Sequence, residues 1–256
     1  MSASPHWPRA AWRDSGSEAF LLWFVFGDFT PDAAIDAQRY RTRGTPAGIE
    51  VVRYSNRALA QWNGYPLAGV LGRLLWEDDE ALFGQAKRAG ECVMLRGALA
   101  DPPDLDPLRD LVGTITALVD QGGVAVVDPQ MLSFFGAGEW RQRYFRNDTF
   151  VARDHVLILC DADEEHAGRL RVHTRGLRKF ARPDIDIRNV PAAAADAAGA
   201  LASRFVAFQC DGGLVPDGHP VEIEGVPAGM QVRHAGSFED PAFNNRHLAL
   251  RWPDGG

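Results

Sequence analysis

HVLILC-DADEEHAG-RLRVHT, residues 155–174, decides the class of fold. His155–Cys160 is an apolar run of strand length, Asp161–Gly168 is a polar turn that ends in glycine, and Arg169–Thr174 alternates basic with apolar side chains. That order describes an antiparallel hairpin with one apolar and one polar face. A short strand, Asp184–Arg188, follows it. Pro191 then opens an Ala-rich helix to about Phe208, with Leu201, Phe205 and Phe208 on one face. Asp211-Gly212-Gly213 closes that helix, and Val221–Glu224 and His247–Trp252 read as late strands.

Upstream, Phe20–Phe26 (FLLWFVF) is apolar throughout and reads as a strand buried on both faces. Thr30-Pro31-Asp32 is a helix-start signal, with the helix running to about Arg43. Ile49–Tyr54 and Cys92–Leu95 are strands, and Asp78–Arg88 is a helix. Asp106-Pro107 starts a helix whose apolar positions Leu108, Leu111, Val112, Ile115, Leu118 and Val119 keep helical spacing. Gly122-Gly123 stops it before a buried strand, Val124–Val127. Pro129–Phe150 is aromatic and irregular.

Helices and strands mix without a strict βαβ rhythm and without a glycine-rich phosphate turn. The fold class is α+β, with mixed, mostly antiparallel sheets and packed helices. The expected division is a loose tail over 1–17, or an arm laid on the surface through Trp7 and Trp12, then a first half over 18–130, an aromatic connection over 131–150 and a second half over 151–256; one continuous domain is the alternative. Two segments resemble each other. Leu95-Arg96-Gly97, Pro103-Asp104-Leu105 and Gly122-Gly123 parallel Thr174-Arg175-Gly176, Pro183-Asp184-Ile185 and Gly212-Gly213. Duplication into two pseudo-repeated subdomains and coincidence are both consistent with them.

The chain has 256 residues, 46% of them apolar, which excludes wholesale disorder. Its net charge of -7 argues against a general nucleic-acid binder. Only Lys87 and Lys179 among the 27 basic residues are lysine, which suggests GC-rich codon usage and a bacterial source. No apolar run reaches membrane-span length and no secretory leader is evident, so a cytoplasmic protein without a membrane partner is expected. Cys92, Cys160 and Cys210 are far apart and read as buried free thiols.

The sharpest local feature is charge. Asp161–Glu165 is acidic but for Ala162, while Arg169, Arg171, Arg175, Arg178, Lys179 and Arg182 follow with no acid among them. Strand alternation places Arg169, Arg171, His173 and Arg175 on one face. Such a row attracts phosphate, carboxylate or an acidic protein surface; its plain structural counterpart is a solvated face with nearby counter-charges. Asp184 and Asp186 point the same way if extended, either bonding these arginines or acting as acid and base. His155 and His173 could face each other across the hairpin, but no metal site, cofactor or catalytic group is expected. Trp140, with Phe134, Phe135, Tyr144 and Phe145, has the composition of an interface anchor or of core.

Thr174-Arg175-Gly176-Leu177, Phe180, Pro183-Asp184-Ile185-Asp186-Ile187 and Asp217-Gly218 resemble the pattern of a bacterial domain-of-unknown-function family. The resemblance spans about residues 90–225; Ala181 stands where that pattern has glycine. It implies an α+β domain and assigns no catalytic residue. The leading expectation is therefore a non-catalytic protein-binding or accessory, immunity-like module. Its binding residues would be Arg169, Arg171, His173, Arg175, Arg178, Trp140 and Asp184. The alternative is an enzyme acting on a small phosphate or carboxylate, clamped by Arg171, Arg175 and Arg178, with His173 or Asp184 carrying the proton.

Overall fold

The computed structural model describes residues 5–30, 34–146, 148–240 and 242–254. The fold is α+β, with two five-stranded sheets. The chain divides into two compact units: Met1–Pro8 with Phe20–Phe150, and Arg9–Ala19 with Val151–Gly256.

In the first unit, β1 (Glu18–Gly27, in this unit from Phe20), β2 (Ile49–Ser55), β3 (Glu91–Ala100), β4 (Gly123–Asp128) and β5 (Ser133–Gly136) form a sheet in the order β2-β3-β1-β4-β5. Helices α1 (Asn56–Ala60), α2 (Gly69–Asp78), α3 (Glu80–Arg88) and α4 (Asp106–Asp120) join the strands. A short α5 (Ala137–Trp140) continues into a π turn at Arg141–Phe145. The helix read from Asp106-Pro107 is α4, and Leu108, Leu111, Val112, Ile115 and Val119 are buried as the spacing requires. Helix α3 starts two residues later than the sequence suggested: Asp79 is its cap, accepting from the Leu82 amide at 2.8 Å.

The helix expected from Thr30 to Arg43 is not present over residues 34–43, which form turns; Pro31-Asp32 lies outside the described residues. Packing against α4 overrides the local signal. Tyr40 donates its hydroxyl to Asp120 at 3.0 Å, and Thr42 donates its hydroxyl to the Asp110 carbonyl at 2.9 Å. Of the two readings of residues 1–17, the anchored arm holds around Trp7 and the loose tail does not. Trp7 is buried and its amide donates to Asp106. The 131–150 segment belongs to the first unit.

In the second unit, α6 (Ala152–His155) leads into β6 (Leu157–Ala162), β7 (Leu170–Arg175), β8 (Asp184–Val190), α7 (Ala195–Cys210), β9 (Arg233–Ser237) and β10 (Asn245–Arg251). The sheet order is β6-β7-β8-β10-β9, with β10 parallel to β8 and the other pairs antiparallel. Alternation puts Val172, Ile185, Ile187, Leu248 and Leu250 on one face, all buried, and Arg171, His173, Arg175, Asp184, Asp186 and His247 on the other. Helix α7 packs on β6, β7 and β8, burying Ala198, Leu201, Ala202 and Phe205. Phe208 does not join that core; it is half exposed against Gly213.

Val221–Glu224 is not a strand; only an isolated bridge joins Pro220 to Gln231. The segments that suggested a repeat occupy different places. Pro103-Asp104-Leu105 leads directly into a helix and Gly122-Gly123 into a strand. Pro183-Asp184-Ile185 enters a strand instead, and irregular chain follows Gly212-Gly213. Cys92 and Cys210 are buried free thiols, whereas Cys160 is exposed on β6.

Candidate functional site

The arginine row of β7 is neither an open anion site nor a solvated face, because its neighbours in register neutralise and cover it. Arg171 forms a two-pronged bond to Asp186 on β8, at 2.6 and 3.2 Å. Asp186 also accepts from Arg188 at 2.9 Å, and the two guanidinium groups hold its carboxyl below the usual range although burial opposes this. His173 bonds Asp161 through Nε2 at 2.9 Å, yet burial lowers its pKa and favours the neutral ring. Arg175 is buried and donates to the Ala242 carbonyl. Phe243 lies under Arg171 and packs edge-on against His173. Arg169 falls just before β7, in the turn, where its amide donates to the His166 carbonyl.

His155 does not face His173; the partner of His173 on β6 is Leu159. Trp140 is fully enclosed in the first unit, donating to the Thr116 hydroxyl at 3.0 Å beside Phe135 and Tyr144. It is core and offers no surface to a partner. Among the described residues, His6, Asp104 and Asp106 form one group with metal-ligand spacing. Asp106 is already engaged there by Arg109 at 3.0 Å and by the Trp7 amide, so positive charge occupies the place of a cation.

The second unit opens in a cavity of about 430 Å³. Four stretches distant in sequence wall it: residues 13–18, the turn after β7 (178–183), the end of α7 with residues 214–216 just beyond it, and the β9–β10 region. Gly176, at φ 114°, starts the turn after β7, and Ala181, at φ 54°, ends it in the left-handed region that favours glycine. The turn is pinned by Asp184. Its Oδ1 accepts from the Thr174 hydroxyl at 2.9 Å and the Leu177 amide at 3.3 Å, and its Oδ2 accepts from Asn245 at 2.8 Å.

Two buried arginines tie the segments together. Arg9 donates to the carbonyls of Phe180, Gln209 and Cys210, placing a cation at the carboxyl end of α7 where the helix dipole favours one. Arg182 donates to the carbonyls of Phe180, Ala181, Gly212, Gly213 and Arg13. The Ala11 and Arg13 amides donate to Asp211 and Gly212, so the 9–13 segment runs beside the end of α7.

The lining carries four arginines, Arg13, Arg178, Arg182 and Arg246, against one carboxylate, Glu18. Arg178 donates to the Asn244 carbonyl at 2.8 Å and stacks on Phe238 at 4.6 Å; Arg246 approaches the same ring at 5.4 Å. Arg13 and Arg246 are exposed, and among the described residues neither has a carboxylate partner. Leu214, Val215 and Pro216 give an apolar wall. His247 also lines the cavity, its ring stacked on Phe243 at 4.5 Å and its Nδ1 3.7 Å from Asp240; burial lowers its pKa and favours the neutral imidazole.

Of the binding residues expected from sequence, Arg178 lines the cavity, joined by Arg182 of the same basic run and by Pro183, with Asp184 one bond behind through Asn245. Arg13, Gln209, Phe238, Arg246 and His247 had no local motif. Gln209 alone left a trace, as a polar residue continuing the core-facing helical series Ala198, Leu201, Ala202 and Phe205. Comparison with protein-family models, curated proteins and solved structures finds no match for the chain.

Proposed function

We propose that the second unit binds a small organic anion, a carboxylate or a phosphate ester with an apolar body, in this cavity. One observation carries the reading. Arg171, Arg188 and His173 on the sheet face are matched by carboxylates, whereas Arg13 and Arg246 at the cavity have none among the described residues. Arginine presents a planar fork suited to carboxylate and phosphate oxygens. Leu214, Val215, Pro216 and Phe238 suit an apolar body. The volume is ample for a ligand of metabolite size.

Titration calorimetry with hexanoate, hexyl phosphate and hexanol tests it. The two anions bind and hexanol does not. Arg246→Met weakens anion binding about tenfold, as expected for the loss of a charge-assisted hydrogen bond. Equal binding of hexanol and the anions, or no binding of any, overturns the reading.

A second reading, a protein-binding module, draws on a different surface. On α2 of the first unit, Val70, Leu74 and Trp76 are exposed. Exposed aromatic and aliphatic residues on one helix are the usual material of an interface. A stoichiometric partner captured from host lysate by the unaltered chain, and lost with Trp76→Glu, supports it; equal capture by both removes this surface from consideration.

A further inference from the structure

We infer that the ligand carries a neutral hydrogen-bond donor, a hydroxyl in the simplest case, at the end remote from its anionic group, and that Gln209 reads it. The inference rests on the anion-binding reading above and names the class of ligand more closely.

Gln209 lies in the last turn of α7, lines the cavity and is fully buried, in contrast to the exposed Arg13 and Arg246. Its amide can be oriented in only one way. Nε2 donates to the Pro183 carbonyl at 3.1 Å, and turning the amide over would set two oxygens against each other. The group left over is Oε1, an acceptor. Among the described residues it has no hydrogen-bond partner. A buried amide oxygen without a donor is destabilising.

Among the described residues, no lining side chain donates to it. Leu214, Val215 and Pro216 carry no side-chain donor. The Asn245 amide is committed to the Arg182 carbonyl and to Asp184, and Arg182 directs its N–H groups at carbonyls. A donor from the ligand supplies the missing bond. A ligand ammonium would meet the repulsion of four lining arginines, so a neutral hydroxyl fits better. The ligand class is therefore a hydroxy-substituted carboxylate or phosphate ester, held at the exposed end by arginine and at the buried end by Gln209.

The test compares two matched series on the full chain by titration calorimetry. One series is ω-hydroxyalkanoates graded from the butanoate to the decanoate; the other is the alkanoates in which a methyl replaces the hydroxyl. At the length that reaches the floor, the hydroxy form binds about tenfold tighter, the worth of one buried hydrogen bond. Gln209→Met levels the two series. The comparison on the unaltered chain decides by itself if that variant does not fold. If both series bind without a hydroxyl preference at any length, the Gln209 inference fails while the anion reading stands. If neither series nor hexyl phosphate binds, both fail.

Discussion

Asp184 is enclosed completely, and burial lifts its carboxyl from an ordinary 3.8 to about 6, although Asn245, Thr174 and the Leu177 amide all donate to it. The folded state therefore holds this proton more tightly than the unfolded chain does. The contribution of Asp184 to stability is then largest below pH 4 and declines as pH rises to about 6, by about 3 kcal/mol in all. Asp106, Asp120, Asp163 and Asp186 are shifted downward and act in the opposite sense, losing stability as pH falls. The Asp184 effect is isolated by comparison with Asp184→Asn. In urea titrations at stepped pH, the difference in unfolding free energy between the natural chain and this variant shrinks from pH 4 to 6 and is flat above. A difference independent of pH would show that Asp184 titrates as an ordinary carboxylate.

Helix α7 brings two glycines into opposite circumstances. Gly199 is mid-helix, and an added Cβ meets nothing within 4 Å. Gly199→Ala should stabilise by about 0.5–1 kcal/mol through helix propensity. Gly212, just past the helix end, has φ 97°, and its Cβ would collide with the Trp12 backbone. Gly212→Ala should cost about 2 kcal/mol or more. Denaturation midpoints that moved in the same direction for both would contradict this account of the helix end. The same helix marks what was legible in sequence. Helices α4 and α7 and the β6–β7 hairpin announce themselves because periodicity, caps and glycine stops are local. Strands β5 and β9 are short and lack an apolar alternation strong enough to stand out. The 34–43 segment shows the converse, a helix signal overruled by bonds to α4. The arginine face of β7 was readable, as were the acidic turn and Asp186 as its counter-charges; which carboxylate meets which side chain was not, since strand register decides it. The cavity was the least legible, because four distant stretches build it and only the polar Gln209 on an apolar helix face hinted at it.

At the scale of the whole chain, a net charge of -7 coexists with a cavity lined by four arginines and one glutamate, so the average charge says little about the ligand. The connectivity says more. Residues 9–19 belong to the second unit although most of the first unit follows them in sequence. A fragment covering residues 151–256 therefore lacks Arg9, whose guanidinium meets the carbonyls of Phe180, Gln209 and Cys210, and lacks the Ala11 and Arg13 amides that bond Asp211 and Gly212. It also lacks the Arg13 carbonyl that accepts from Arg182. At about 0.5–1.5 kcal/mol for each such bond, the missing segment is comparable with the 5–15 kcal/mol that holds an average domain together. The fragment alone should be poorly folded by circular dichroism and by amide dispersion in NMR spectra. A synthetic peptide of residues 9–19 added in excess should restore order, and the same peptide with Arg9→Ala should do so far less well. The restored complex should also regain anion binding, because Arg13, Ser15, Ser17 and Glu18 complete the cavity wall. A fragment that folds to full stability without the peptide would show that the 9–13 segment only lies against the second unit and does not help to build it.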